Sequence, residues 1–210
     1  MGNVGLLYVG AILFLNGLAL LGIVRGNGAV PLNIFVGLLQ VITPTWLIMS
    51  SGGDPDVIYG ASGLYLFGFT YLYVAFNTIW GFDPTGLGWF SLFVAIAAVG
   101  YAAVSAYRGD WAFAVIWLLW DYLWWLFFEL LGRDKPHLTR YTGAVAAIEG
   151  WTTGAIPAFL LLIGAWADLP NAALAVAVAV VSVGGFLFAK SRLSDSVSQP
   201  ATTTEGAGHA

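Results

Sequence analysis

The sequence predicts an all-α integral membrane protein with seven transmembrane helices, and three observations carry that prediction. Of 210 residues, 60% are hydrophobic and 9% charged, whereas a soluble domain carries about a quarter charged residues. Seven apolar runs approach or exceed the ~20 residues that cross a bilayer as a helix. Basic residues also collect on alternate connections between those runs, the pattern that sets orientation in a membrane.

The first run covers residues 4–24. It follows Met1-Gly2-Asn3 without the positive charge of a cleaved secretory signal, so it reads as a retained helix. Arg25-Gly26-Asn27-Gly28 breaks it, and a second run covers residues 30–49. After the polar segment 50–55 comes the aromatic-rich third run, residues 59–79, closed by the glycine- and proline-containing segment 81–86. The fourth run, residues 87–106, ends at Tyr107-Arg108-Gly109-Asp110. The fifth, residues 111–131, ends at the charged segment 132–140, and the sixth, residues 141–166, stops before Pro170. The seventh covers residues 172–189. From Ser191 the chain turns to Ser, Thr, Gly and Ala, which predicts a transmembrane domain over residues 1–190 and a disordered cytoplasmic tail over 191–210.

Arg25, Arg133, Lys135, Arg140, Lys190 and Arg192 fall on the odd connections and the tail, and Arg108 alone falls on an even one. Basic residues mark the cytoplasmic side, so the N-terminus is expected outside and the C-terminus in the cytoplasm. A multi-pass membrane protein follows.

Composition also removes whole classes of function. There is no cysteine, hence no disulfide, iron–sulfur cluster or thiolate catalysis. His137 and His209 lie in a connection and in the tail, which argues against haem, zinc or a Ser-His-Asp set within the membrane. No basic patch is available to hold nucleic-acid phosphates. A retinal Schiff base needs a lysine in mid-helix, and the lysines are Lys135 and Lys190, in a connection and at a helix end. No nucleophile–base–metal set can be assembled, so neither an enzyme nor a cofactor is expected.

The fifth run holds the most distinctive pattern. Trp117, Trp120 and Trp124 fall within about 60° of one another on a helix, a stripe about 10 Å long. Each indole carries an N–H that wants a partner at bilayer depth. The stripe is either a lipid-facing or core aromatic ladder, or one wall of a slot. Phe67, Phe69, Tyr71 and Tyr73 on the third run offer a second wall. Such a slot would pass planar amides and exclude hydrated ions.

Polar groups at membrane depth are few: Asn16, Gln40, Asn77, Asp121, Glu129 and Glu149, with hydroxyls such as Thr43, Thr70 and Tyr71. Each is a functional candidate, because an unpaired carboxyl there costs several kcal/mol. Glu149 stands out, with no basic residue in helical register to neutralise it. It fits either a helix–helix hydrogen bond in the protonated form or a carboxylate that accepts N–H bonds from a polar solute. Asp121 lies about 40° from Trp117 and fits either the same path or an interhelical contact. Glu129 reads as closing an interface near the cytoplasmic side. Asn16, Asn77 and Glu129 sit late in runs one, three and five, each followed by a partner run holding Gln40, Ala97 or Glu149. Three such hairpins would enclose a six-helix bundle, with the seventh helix outside it.

Several stretches resemble the bacterial urea-channel and short-chain-amide-channel family, AmiS/UreI. They are Leu6-Leu7-Tyr8-Val9-Gly10 with Asn16-Gly17, Phe35-Val36-Gly37, and residues 65–77 around Phe67-Gly68-Phe69-Thr70-Tyr71-Leu72-Tyr73. Trp89-Phe90-Ser91-Leu92-Phe93-Val94-Ala95-Ile96, Gly109-Asp110-Trp111, residues 116–124, Ala147-Ile148-Glu149-Gly150 and Ile156-Pro157-Ala158 follow in order. The resemblance implies six helices forming a twisted pore bundle plus one extra C-terminal helix. It also implies a passive channel for urea or short-chain aliphatic amides, with one aromatic-lined pore per protomer and a homo-hexamer whose central hole holds lipid. Carried over position by position, the substrate pore is formed by Leu6, Val9, Leu13, Asn16, Phe67, Tyr71, Trp117, Trp120, Leu123, Trp124 and Glu149.

Three departures shape the expectation. The connection after the second run is short and lacks histidine, the residue that titrates near neutral pH, so acid gating is not expected. The seventh helix and the tail exceed the six-helix acid-gated form. The outermost tryptophan of the family's filter is replaced by Phe113 or Trp111. The competing reading is a proton-coupled secondary transporter of small amides that uses Glu149 and Asp121.

Overall fold

The computed structural model describes residues 2–195, and every regular element among them is helical. Seven helices are long and apolar enough to cross a membrane. They are α1 (Gly2–Leu20), α2 (Val30–Ser50), α3 (Pro55–Trp80), α4 (Thr85–Tyr107), α5 (Trp111–Gly132), α6 (Pro136–Leu162) and α7 (Asn171–Asp195). The helix α7 runs past the predicted start of the tail at residue 191, and residues 196–210 of that tail lie outside the described residues.

Local chemistry explains where these ends differ from the apolar runs. The helix α1 stops at Leu20, earlier than predicted, because Gly22 adopts φ 80° and the Ile23 N–H bonds back to the Leu18 carbonyl at 2.9 Å. Gly109, with φ 80°, ends α4 in the same way, the Asp110 N–H reaching the Ser105 carbonyl at 2.9 Å. The helix α3 begins ahead of its apolar run because the Asp54 carboxylate accepts the Asp56 N–H at 2.9 Å and Pro55 fits the first turn. Asp110 caps α5 by accepting the Phe113 N–H at 3.2 Å. Before α4, Asp83 accepts the hydroxyl and the N–H of Thr85, which holds its carboxyl below the usual range.

Two helices change pitch where sequence periodicity gives no warning. The last turn of α5 is π-helical over Phe128–Gly132, and α6 is π-helical over Gly150–Ala155, directly after Glu149. Pro157 lies two residues beyond that segment and has no N–H for the Thr153 carbonyl, so an α-helical ladder cannot continue through it.

The first six helices pack in chain order, and α1 meets α6 to close the ring. The tight neighbours are α2 with α3, α4 with α5, and α6 with α1, one step out of register from the hairpins that the polar pattern predicts. The α1–α6 seam is made of glycines. A Cβ on Gly17 would lie 2.6 Å from both the Ala147 nitrogen and the Gly143 oxygen, and one on Gly10 would lie 2.5 Å from the Gly150 oxygen. Small residues thus bring two backbones into contact, the device that joins helices where lipid supplies no hydrophobic drive.

Side-chain pairs fix the remaining seams. Asn16 on α1 and Asn33 on α2 exchange two carboxamide bonds, at 3.0 and 2.8 Å. Glu129 takes Arg133 at 2.9 Å and also Lys135, which locks the turn from α5 into α6 and gives this carboxylate a structural role. The helix α7 lies against α5 and α6. Asn171 receives the Ala112 N–H and donates to Asp110, each at 3.0 Å, and Ser182 donates to Thr152 at 2.8 Å. Bulky residues such as Phe35, Trp46, Phe93, Ile96 and Val180 face outward, as a lipid-facing belt requires.

The glycine seam makes a direct prediction. Gly17→Ala should cost about 1–3 kcal/mol, because the contacts are backbone and cannot move aside cheaply. Gly100→Ala, which meets nothing within 4 Å, should leave the thermal midpoint in detergent unchanged. Equal midpoints for the two variants would contradict the seam.

Candidate functional site

The tryptophan stripe of α5 points into the ring and gathers around one side chain of α3. The Phe67 ring lies 4.7 Å from Trp120 at 78°, 4.9 Å from Trp124 at 80°, and 6.1 Å from Trp117. Trp117 in turn meets Trp120 edge-on at 4.8 Å and stacks on Tyr101 at 4.5 Å. Edge-to-face pairs are worth about 0.5–1.5 kcal/mol each beyond burial, so the cluster is held at fixed angles. Trp125, by contrast, is 44% exposed on the outer side of α5.

What fixes the indoles is their hydrogen bonding. Trp120 Nε1 donates to Thr153 Oγ1 on α6 at 2.9 Å, and that hydroxyl donates to the Glu149 carbonyl at 2.7 Å. Trp124 Nε1 donates to Thr70 Oγ1 on α3 at 3.4 Å, and Thr70 donates to the Leu66 carbonyl at 2.7 Å. Each threonine spends its proton on its own helix and leaves lone pairs for the indole. Both N–H groups are thereby engaged, and the stripe presents carbon surfaces to the ring's interior.

Two cavities approach this cluster from opposite faces. One, of about 440 Å³, has exposed Asp56 and Arg108 at its mouth and is lined deeper in by Leu6, Val9, Phe67, Trp117 and Trp120. At that mouth Arg108 bonds Asp56 at 2.6 Å and lies 4.9 Å from the Tyr59 ring centroid. The other cavity, of about 300 Å³, is lined by Asn16, Asn33, Val74, Asn77 and Phe127. Between them lies a void of about 20 Å³ bounded by Leu13, Asn16, Tyr71, Leu123 and Trp124.

Ten of the eleven residues expected to form the site therefore line this series of spaces: Leu6, Val9, Leu13, Asn16, Phe67, Tyr71, Trp117, Trp120, Leu123 and Trp124. Glu149 does not. It is fully buried, lines none of the three spaces, and neither carboxyl oxygen has a hydrogen-bond partner among the described residues. Asp121 is only partly buried and also lines none of them. The 40° that separates it from Trp117 turns it off the interior face. Phe113 lines the first cavity, whereas Trp111 is 54% exposed.

Sequence reasoning missed Thr153. A hydroxyl four residues after Glu149 in an apolar helix is the signal that points to it. The sequence could not separate Gln40 from the other buried polar groups. The structure puts its carboxamide, fully buried and unpartnered, on the wall of the first cavity, and the unpartnered Asn77 carboxamide on the wall of the second. No three His, Cys, Asp or Glu side chains among the described residues gather to hold a metal.

Comparison with known proteins places this architecture. The profile of the AmiS/UreI family of transporters matches residues 1–165, ending before α7. The chain is 57% identical over 180 residues to a candidate transporter of amidate substrates from Mycolicibacterium smegmatis, covering 85% of this chain and 84% of that one. It is 37% identical over 191 residues to the acid-activated urea channel of Helicobacter pylori, covering 77% and 97%. The crystal structure of the urea channel from that organism superposes with a TM-score of 0.71 at 37% identity, over 79% of this chain and 99% of that one. The closed state of the same organism's channel, from electron cryomicroscopy, gives 0.72 at 38% identity, over 79% and 100%.

The threonine–indole bonds are testable on the isolated protein. Thr153→Val keeps the shape and leaves the buried Trp120 N–H unpaired, which should cost about 1–3 kcal/mol. Thr153→Ser should restore most of that loss. Thermal unfolding in detergent reads both, and a Val variant as stable as the parent would show that the bond holds nothing.

Proposed function

This chain belongs to the AmiS/UreI family of transporters, and on that premise we propose that it is a passive channel for urea and short-chain aliphatic amides. The observation that carries the proposal is the pair of cavities, about 440 and 300 Å³, approaching one aromatic barrier from opposite faces. The protein sits in the bacterial cytoplasmic membrane as a multi-pass channel.

A solute entering the first cavity meets Leu6, Val9, Phe67, Trp117 and Trp120, then Leu13, Tyr71, Leu123 and Trp124. It reaches the second cavity beside Asn16. These walls are apolar, so a hydrated ion loses its shell there without replacement and is excluded. A flat neutral amide loses far less and slides between ring faces set nearly perpendicular. Water-sized space between the cavities is about 20 Å³, so passage proceeds by small side-chain movements. Glu149 is buried outside these spaces, directly before the π segment of α6.

Passive flux is favoured over proton coupling because neither Glu149 nor Asp121 lines the path. Gating by acid is disfavoured because the connection from Ser50 to Pro55 contains no histidine, and His137 lies at the opposite face. The first cavity opens outside and the C-terminus lies in the cytoplasm, following the basic residues. Protomers join as a homo-hexamer around lipid, each with its own pore, and α7 covers α5 and α6 from outside the ring.

Protein in liposomes should equilibrate acetamide and urea down a gradient, unaffected by an uncoupler. Flux should change little between about pH 5 and about pH 7.5, which bracket histidine titration. Strong acid activation would overturn the ungated reading, and uptake against a gradient would overturn the passive one. Trp120→Ala should alter the acetamide-to-urea ratio severalfold and Trp125→Ala should not; equal effects would make the stripe structural.

A further inference from the structure

We propose that Gln40 forms a docking station for a primary carboxamide or urea in the first cavity, directly before the aromatic barrier. The inference rests on the proposed passage of such solutes through this chain. Gln40 sits midway along α2, is 0% exposed, and neither Oε1 nor Nε2 has a hydrogen-bond partner among the described residues. It shares the cavity wall with Leu6, Val9, Phe67 and Trp120, the buried residues of that wall. Leaving a buried amide unsatisfied costs about 1–3 kcal/mol, so this side chain is retained against a penalty.

The chemistry of the group matches the solute. A carboxamide offers one N–H donor and one carbonyl acceptor side by side, and turning it over preserves the pair. A primary amide or urea presents the complementary acceptor and donor on one edge, so the two close a ring of two hydrogen bonds. No proton moves and no charge forms. Where a solute sheds water to enter the slot, Gln40 replaces two of the lost bonds. The indoles cannot do this, because the N–H groups of Trp120 and Trp124 are already given to Thr153 and Thr70.

Room for the side chain comes from Gly5, where a Cβ would lie 2.7 Å from Gln40 Oε1. The carboxamide thus packs on the α1 backbone, with Nε2 3.3 Å from the same Cβ position, and it meets a solute by a small turn of its side chain toward the cavity. An apolar residue of equal length at position 40 would fill the same volume without offering either bond.

The test is solute selectivity in proteoliposomes made with the full chain, comparing acetamide and urea with glycerol. Gln40→Met should lower the acetamide-to-glycerol and urea-to-glycerol flux ratios by ~5-fold, and raise the acetamide concentration at which flux saturates. Unchanged ratios, with the parent protein conducting amides, would overturn the station and leave the channel reading intact. A parent protein that conducts no amide above empty vesicles would overturn the channel reading itself, and the station with it. Should Gln40→Met fail to reach the membrane, Gly5→Ala decides. It crowds Oε1 and must lower the same ratios, and unchanged ratios overturn the proposal.

Discussion

The indole N–H groups of Trp120 and Trp124 must find acceptors at a depth where water supplies none, and the architecture follows from how they do. An unsatisfied N–H in hydrocarbon costs several kcal/mol. Each is met by a threonine hydroxyl on a neighbouring helix, Thr153 on α6 and Thr70 on α3. Those two bonds tie α5 to the helices on either side of the central space. They also set the ring planes nearly perpendicular to Phe67. A barrier of carbon surfaces results, because the polar edge of each indole is turned away and engaged.

Holding Thr153 in place depends on the α1–α6 seam. Gly10 and Gly17 on α1 meet Gly143, Gly150 and Gly154 on α6 backbone to backbone, closing the ring. In the middle of that contact α6 widens into its π segment, Gly150–Ala155, which carries Thr153 toward Trp120. One glycine-rich seam thus closes the ring and positions an acceptor for the barrier. The α7 helix reinforces the same region through Ser182 and Thr152.

Much of this was legible in the sequence, for physical reasons that also mark where legibility stops. Apolar length fixes seven spans, because the bilayer demands it of each helix separately. The spacing of Trp117, Trp120 and Trp124 predicts one face, because 3.6-residue periodicity is local. Which face is interior is a property of the neighbours, so the sequence leaves Asp121, about 40° from Trp117, open between the path and an interhelical contact, and the structure places it outside the three spaces. Glu149 stands out in sequence among the lone polar groups of apolar helices, and Gln40 does not. Packing sets their positions, Gln40 onto the wall of the first cavity and Glu149 buried outside all three spaces. The π segments escaped because no repeat encodes them; the one in α6 stands just before Pro157, which lacks the ladder N–H. Glu129 reads as closing an interface, and its carboxylate pairs locally with Arg133 and Lys135, which follow it in the chain.

The central claim is that one continuous path crosses the membrane through the Phe67–Trp120–Trp124 barrier, with a separate cavity on each side. The chain has no cysteine, so a single introduced thiol reports without interference. Leu64→Cys lies in the first cavity and Val74→Cys in the second. A membrane-impermeant thiol reagent should modify the first from one face only and the second from the other face only. Either modification should stop amide flux. Modification of both thiols from the same face, or modification that leaves flux intact, would contradict the account.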